Sequence, residues 1–211
     1  MASRRQFVPL LFVFAAACGS PAQNTRTPPP PVAPLPGGAI SGQSVPVWPV
    51  VSIQVDTSLH WQEMIGNRRQ AMDKADSILF QILREVRNMV VWVPPAEVRR
   101  AAEKAPGILV SPDQMATGLL LTHAMARVPD QLAIQLRQVT AVATGGRYAA
   151  IPTRIAFVRG PSGYGRAELS LALVDVRLGA VSWSATGKGL GQDPWDALTR
   201  AVRELTASVG M

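Results

Sequence analysis

The spacing of apolar residues divides the chain into short extended runs and longer stretches of helical period. VPVWPVVSIQV (45–55) is rich in β-branched residues, and Pro46 and Pro49 place the start of this strand at a sheet edge. The period then changes. Ala71, Ala75, Leu79, Ile82 and Val86 form one stripe, widened by Met72, Ile78 and Leu83, which predicts an amphipathic helix over 68–88. MVVWV (89–93) reads as a strand stopped by Pro94-Pro95, followed by a brief Ala-rich helix with Glu97 near its start and Gly107 after its end. Ser111-Pro112-Asp113-Gln114 carries the cap, the proline and the capping-box glutamine of a helix start. It predicts a helix, apolar nearly all round, through QMATGLLLTHAMARV.

Strands are expected at 131–143, 153–159, 166–176 and 180–187, with a tight reversal at Gly179 in DVRLGA. Asp193-Pro194 opens a last helix in which Trp195, Leu198, Val202, Leu205 and Val209 recur at spacings 3, 4, 3, 4, one buried face. The order β-α-β-α-α-β-β-β-β-α predicts an α/β (α+β) domain: a mixed sheet of about five to six strands covered by about three to four helices.

The first 45 residues do not fit this pattern. Arg4 and Arg5 precede eleven uncharged residues, Phe7 to Ala17, a run too short to span a bilayer and typical of an export signal. Ala15-Ala16-Ala17 satisfies the small-x-small rule of ordinary signal cleavage. Ala15-Ala16-Ala17-Cys18 also resembles a bacterial lipobox, with Ala15 where that pattern prefers Leu. Cys18 is the sole cysteine, so it has no intrachain disulfide partner in an oxidising compartment, and lipidation would remove its thiol. Lipobox processing implies acyl chains on Cys18, and two or more chains anchor stably. Gly19, rather than Asp, favours the outer membrane over the inner by the rule of enteric bacteria. Ser3-Arg4-Arg5-Gln6-Phe7-Val8 looks like a twin-arginine export motif. Pro21, Pro28 to Pro31, Pro34 and Pro36 favour an extended tether. The expected organisation is a signal peptide at 1–17, a lipidated cysteine and Pro-rich linker at 18–45, and a single periplasmic domain at 46–211.

The formal charge of +7 falls to +5 when Arg4 and Arg5 are removed. Eighteen arginines against three lysines reflect genome composition, and no basic-aromatic motif of a nucleic-acid-binding module is present. Catalytic chemistry finds little support. His60 and His123 are the two histidines, too few for a zinc site without recruited carboxylates, and His123 lies in an apolar run. A Ser-His-Asp set from His123 and Asp130 has no support from spacing, and there is no Gly-x-Ser-x-Gly elbow. GPSGYGR (160–166) lacks the ending and the strand-to-helix context of a phosphate loop, and reads as a hairpin tip. Asp175 and Glu168 could pair, but turn chemistry accounts for Asp175.

LVDVRLGAVSWS (173–184) followed by the helix from Asp193 resembles the amino-terminal domain of TolB and the related folds of curli-channel and penicillin-binding-protein-activator lipoproteins. Leu178 stands where that group has Thr, and no β-propeller follows. The resemblance implies a non-catalytic, cofactor-free envelope protein, held to the membrane by Cys18 and docked to another envelope protein or an anionic envelope polymer. From Gln131 to Ala167 the chain has five arginines and no Asp or Glu. Arg147, Tyr148, Arg154, Arg159, Tyr164 and Arg166 are therefore the candidate partner contacts, since Arg with Tyr is enriched in interface cores. The alternative is a small-ligand carrier or enzyme using the loops after strand 131–143.

Overall fold

The computed structural model describes residues 35–86, 89–121 and 126–207. The signal, the lipobox with Cys18, the tether as far as Pro34, His123 and Val209 lie outside the described residues.

The chain enters through the short helix α1 (Gly37–Ile40), strand β1 (Ser44–Pro46) and strand β2 (Ile53–Val55). The expected strand 45–55 is thus broken in two. Pro46 and Pro49 have no amide hydrogen to give to a ladder. Val50 turns its own N–H to Asp76 Oδ1 at 2.7 Å. Helices α2 (Gln62–Ile65) and α3 (Arg68–Val86) follow, then β3 (Val91–Val93) and α4 (Pro95–Glu103). After α5 (Asp130–Ala143), the meander of β4 (Tyr148–Arg159), β5 (Gly165–Asp175) and β6 (Ala180–Gly191) leads into α6 (Pro194–Ala207).

Strand order is β2-β4-β5-β6, with β2 parallel and the rest antiparallel to their neighbours. The parallel pair β1-β3 joins this sheet through the bridge Val47 to Ala150. The result is a mixed α/β fold. One sheet face, with Ile155, Phe157, Leu169, Leu171 and Leu173, packs under α3 and α6. The opposite face, with Ala149, Ile151 and Val174, packs under α4 and α5.

Two expectations are corrected. The segment 131–143 is helix α5, not a strand: Leu132, Ala133, Leu136, Val139 and Thr140 are its buried face, and Ile134 is half exposed. The sequence also alternates at Leu132, Ile134 and Leu136, and the competing pattern won because a layer of helix was needed over Ile151 and Val174. The helix expected from Ser111 is instead a pair of 3₁₀ turns, Pro112–Gln114 and Thr117–Leu121, separated by Met115 in extended conformation. Residues just ahead of the domain expected from 46 also pack. Leu35 and Ile40 are buried, and Gly42 N–H donates to Met89 O at 2.7 Å.

The hairpin turn at Gly179 forms as expected, with φ of +63°. Asp175 Oδ1 accepts from the N–H groups of Arg177 and Leu178, both at 3.0 Å, so this carboxylate closes the turn.

Two contacts hold the layers. On the α6 side, Gly187, Gly189 and Gly191 lie every second residue along β6. A Cβ on Gly189 would stand 2.2 Å from Ala197 O, and one on Gly187 2.2 Å from Ala201 O. The helix backbone therefore rests directly on the strand, while Leu198, Val202 and Leu205 are buried. Each of these three contributes about 1.5–3 kcal/mol.

Between the two helical layers, Arg99 of α4 pairs with Asp113 through Nε and Nη2 at 2.9–3.1 Å, and with Asp76 of α3 at 2.9 Å. Asp73 stands 3.7 Å from Arg99, and Arg69 reaches Asp73 and Asp113. Burial pushes the Asp76 carboxyl up to about 6, against the opposing pull of the Val50 amide and Arg99. Desolvation exceeds the pairing energy here.

Gly189→Ala is expected to lower stability by about 1–3 kcal/mol or more, because the added methyl meets backbone atoms that cannot rotate away. Gly118→Ala, where an added Cβ meets nothing within 4 Å, is the control and should change stability by less than about 0.5 kcal/mol. Chemical denaturation of both variants checks the pair.

The raised Asp76 group gives a signed pH dependence. Its folded value lies above its unfolded one, so its contribution is full below about pH 4 and is lost as pH rises through about 6. The stability of the parent protein minus that of Asp76→Asn should fall by about 2 kcal/mol between pH 4 and 7. Denaturation curves across that range, showing a constant or rising difference, would remove Asp76 from the account.

Candidate functional site

The six candidate contact residues fall on a single hairpin, but not in one place. Tyr148 pairs with Asp175 at one end of β4, and Arg159 with Gly165 at the other. Eleven residues of strand separate them, about 36 Å at 3.3 Å per residue.

Arg147 and Tyr148 are structural. Arg147 Nε donates to Asp175 Oδ2 at 2.6 Å, and the guanidinium stands 5.3 Å from the centre of the Tyr148 ring. That hydrogen bond holds Arg147 further above its ordinary range. Tyr148 is buried. This pair belongs to the turn that Asp175 closes. The loop before it, where the carrier reading placed a site, is also packed. A Cβ on Gly146 would stand 2.5 Å from Ser44 O.

Arg154 and Arg166 come together on one face for a different reason. Ile155 and Phe157 point to the α3–α6 core, as do Ala167 and Leu169. Alternation along each strand then sends Arg154, Arg166 and Glu168 to the opposite face. On β6, Trp183 and Ala185 share the core side, so Thr186, Lys188 and Leu190 share the face of the arginines. Helix α5 packs over this face at Ala149, Ile151 and Val174. Further along it carries Arg154 opposite Ser170, Ser170 opposite Thr186, and Glu168 opposite Lys188.

Ser170 and Thr186 hydroxyls are 2.9 Å apart, and Arg166 Nη2 is 2.7 Å from Glu168 Oε1. The Nε atoms of Arg154 and Arg166 are buried and without a hydrogen-bond partner among the described residues. Lys188 is exposed, and its N–H donates to Glu204 of α6. Three cations and one carboxylate thus occupy this half of the sheet face. Sequence reasoning missed Lys188 and Leu190. The glycines flanking them, buried under α6, fix both side chains on the opposite face.

Arg159 and Tyr164 sit at the hairpin tip. Gly160 N–H donates to Tyr164 O at 2.8 Å across a 3₁₀ turn, Pro161–Gly163. Arg159 Nη2 donates to Ser58 O at 2.9 Å and Nε to Ser58 Oγ at 3.3 Å. The Ser58 amide in turn holds the Asp56 carboxyl below its ordinary range. His60, in left-handed conformation at φ 54°, ends this turn, and Trp61 lies across Gly165 and meets Phe157 edge-on at 5.7 Å. The tip is bordered by two open cavities. One of about 500 Å³ is lined by Tyr164, Leu190, Gln192, Asp193, Asp196 and Arg200 among others. The second, of about 440 Å³, is lined by Ser58, His60, Trp61 and Arg159 and shares Tyr164, Gly191 and Gln192 with the first.

Among the described residues, no three His, Cys, Asp or Glu side chains converge as a metal-binding set.

No protein-family model matches the chain, and no curated protein matches it significantly. Solved structures do. The chain is similar to the PelC dodecamer from Paraburkholderia phytofirmans at 16% identity and a TM-score of 0.42, over 85% of this chain and 95% of that one. It is similar to the LpoB C-terminal domain from Salmonella enterica at 17% identity and a TM-score of 0.41, over 72% and 84%. It is also similar to lipoprotein GNA1162 from Neisseria meningitidis at 14% identity and a TM-score of 0.30, over 70% and 80%.

Proposed function

We propose that this protein is a lipid-anchored, non-catalytic accessory of the bacterial envelope that docks to the acidic surface of another envelope protein. In this reading Cys18 is acylated, residues 1–17 are the removed signal, and the proline-rich stretch spaces the domain from the outer membrane. The observation that carries the docking half is the cationic part of the sheet face, with Arg154, Arg166 and Lys188 against a single Glu168. Arginine suits bidentate contact with carboxylates, and the buried Nε atoms of Arg154 and Arg166 show both stems already held against the strand. Ordering them on a partner therefore costs less side-chain entropy than ordering free surface arginines. Arg147 and Tyr148, at the Asp175 turn, and Arg159 and Tyr164, at the hairpin tip, are left out of this contact set, and Lys188 joins it.

The anchor is tested first. Cys18→Ser should leave the protein unacylated by mass spectrometry and release it from the membrane fraction. A parent chain found to begin at an unmodified Cys18 or beyond it refutes the anchor.

The docking face is tested in the anchored protein in its own cells. A photo-crosslinking residue at Thr186 should yield a discrete adduct, and one at Ile134, exposed on α5, should not. The adduct should disappear in the triple variant Arg154→Ser, Arg166→Ser, Lys188→Ser, whose melting temperature checks that the fold survives. An adduct that persists in a folded triple variant, or forms equally from Ile134, refutes the docking face.

A further inference from the structure

Tyr164 stands between two cavities that nothing in the docking proposal uses. It is half exposed at the tip of the β4–β5 hairpin, and with Gly191 and Gln192 it borders both. Together they form a cleft with two lobes, open to solvent, running from the start of α6 to the turn at Ser58–His60.

The chemistry of the lining restricts the ligand. Two carboxylates, Asp193 and Asp196, are matched by two guanidinium groups, Arg200 and Arg159. Each is already engaged. Asp193 Oδ1 accepts from the N–H groups of Trp195 and Asp196 at 2.9 and 3.0 Å, capping α6. Asp196 Oδ1 stands 3.0 Å from Arg200 Nε, and Arg159 donates to Ser58. Such a cleft has little net charge to offer, so a strongly anionic or cationic ligand gains little from it. Its groups retain hydrogen-bonding capacity: the carboxylates accept, the guanidiniums donate, and Gln192, Ser58 and His60 bring both donors and acceptors. Tyr164 adds an aromatic surface, and Leu190 an apolar one.

Paired donors and acceptors around a half-exposed aromatic ring suit a neutral molecule with hydroxyl groups on its edges and C–H groups on its faces. We propose that this cleft binds an uncharged glycan chain, with Tyr164 as the ring on which a sugar packs and one lobe on each side for the adjoining units. The opening of both lobes favours a chain passing across Tyr164 over a single enclosed sugar. The proposal rests on the cleft alone. Its test varies Tyr164, which the docking face does not use, so the two proposals fail separately.

The full chain, purified in a non-glycosidic detergent, tests this with three tetrameric probes and one monomer: chitotetraose, cellotetraose, tetragalacturonate and free N-acetylglucosamine. Titration calorimetry should show at least one neutral tetramer binding at millimolar or lower concentration, more tightly than the monomer or the acidic tetramer. Tyr164→Ala should weaken it by at least about tenfold, Tyr164→Phe should retain it, and Asp193→Asn is avoided because it caps α6. Melting temperatures of both Tyr164 variants should equal that of the parent. No binding of either neutral tetramer, tighter binding of tetragalacturonate, binding of the monomer equal to that of the tetramers, or full binding by Tyr164→Ala would each overturn the proposal.

Discussion

The close approach of α6 to β6 is the constraint from which much of this structure follows. Three glycines at alternate positions leave the strand without side chains beneath the helix, so α6 backbone atoms sit 2.2–2.5 Å from where Cβ atoms would otherwise be. That depth brings Leu198, Val202 and Leu205 within reach of β5 as well as β6, and lets Trp195 meet Phe157 edge-on at 6.5 Å. It also sets the angle at which the chain leaves β6, through Gly191 and the Asp193 cap. Glycine in a strand ordinarily weakens it. Here the loss is offset by apolar burial on a second element, which a strand with ordinary side chains would have held further away.

The two helical layers are tied to each other differently. Helices α3 and α4 and the turn at Asp113 meet through charge, with Arg99 at the centre of the cluster. Asp76 shows the cost of this arrangement, since its burial outweighs both the Val50 amide and Arg99. What the cluster provides is position. The Val50 amide, left without a strand partner by the break at Pro49, is satisfied by Asp76, and the irregular 104–121 segment is tied to α4 by Asp113. Apolar contacts alone would specify neither register, because they lack direction.

How far the sequence shows this depends on whether local pattern and tertiary environment agree. In α3 and α6 they agree: one apolar stripe, one buried face, and boundaries near those expected. In 131–143 they conflict. Leu132, Ile134 and Leu136 alternate as in a strand, while Leu132, Leu136 and Val139 recur as in a helix. Nothing local decides between these patterns, and the contact of Arg137 with the carbonyls of Val176 and Arg177 is 39 and 40 residues away in sequence. The start signal at Ser111 opens only a 3₁₀ turn, without a side-chain cap hydrogen bond, and Met115 returns to extended backbone. The six candidate contacts do not gather in one place, for a geometric reason. Residues close in sequence on a strand are far apart in space, so Arg147 and Arg159 mark opposite ends of β4. The Gly-x-Gly-x-Gly of β6 was readable throughout, since a period of two with an empty face means that Lys188 and Leu190 lie on the other.

The two proposed surfaces arise from the same asymmetry. The face under α3 and α6 is filled along the length of the β4–β5 hairpin, from Leu173 to Ala167, and ends at Trp61 over Gly165. The other face is apolar at Ala149, Ile151 and Val174, where α5 covers it, and turns polar at Arg154, Ser170 and Thr186. A hairpin of this length, with helices of 14 residues on it, leaves strand ends uncovered on geometric grounds: about 36 Å of strand against about 21 Å of helix. Beyond α5 this face carries Arg154, Arg166, Glu168 and Lys188, and the tip is closed by the turn Pro161–Gly163. Which polar residues occupy those positions is not dictated by folding, and there the choice of arginines on the face, and of tyrosine with balanced charges at the tip, is free to serve binding.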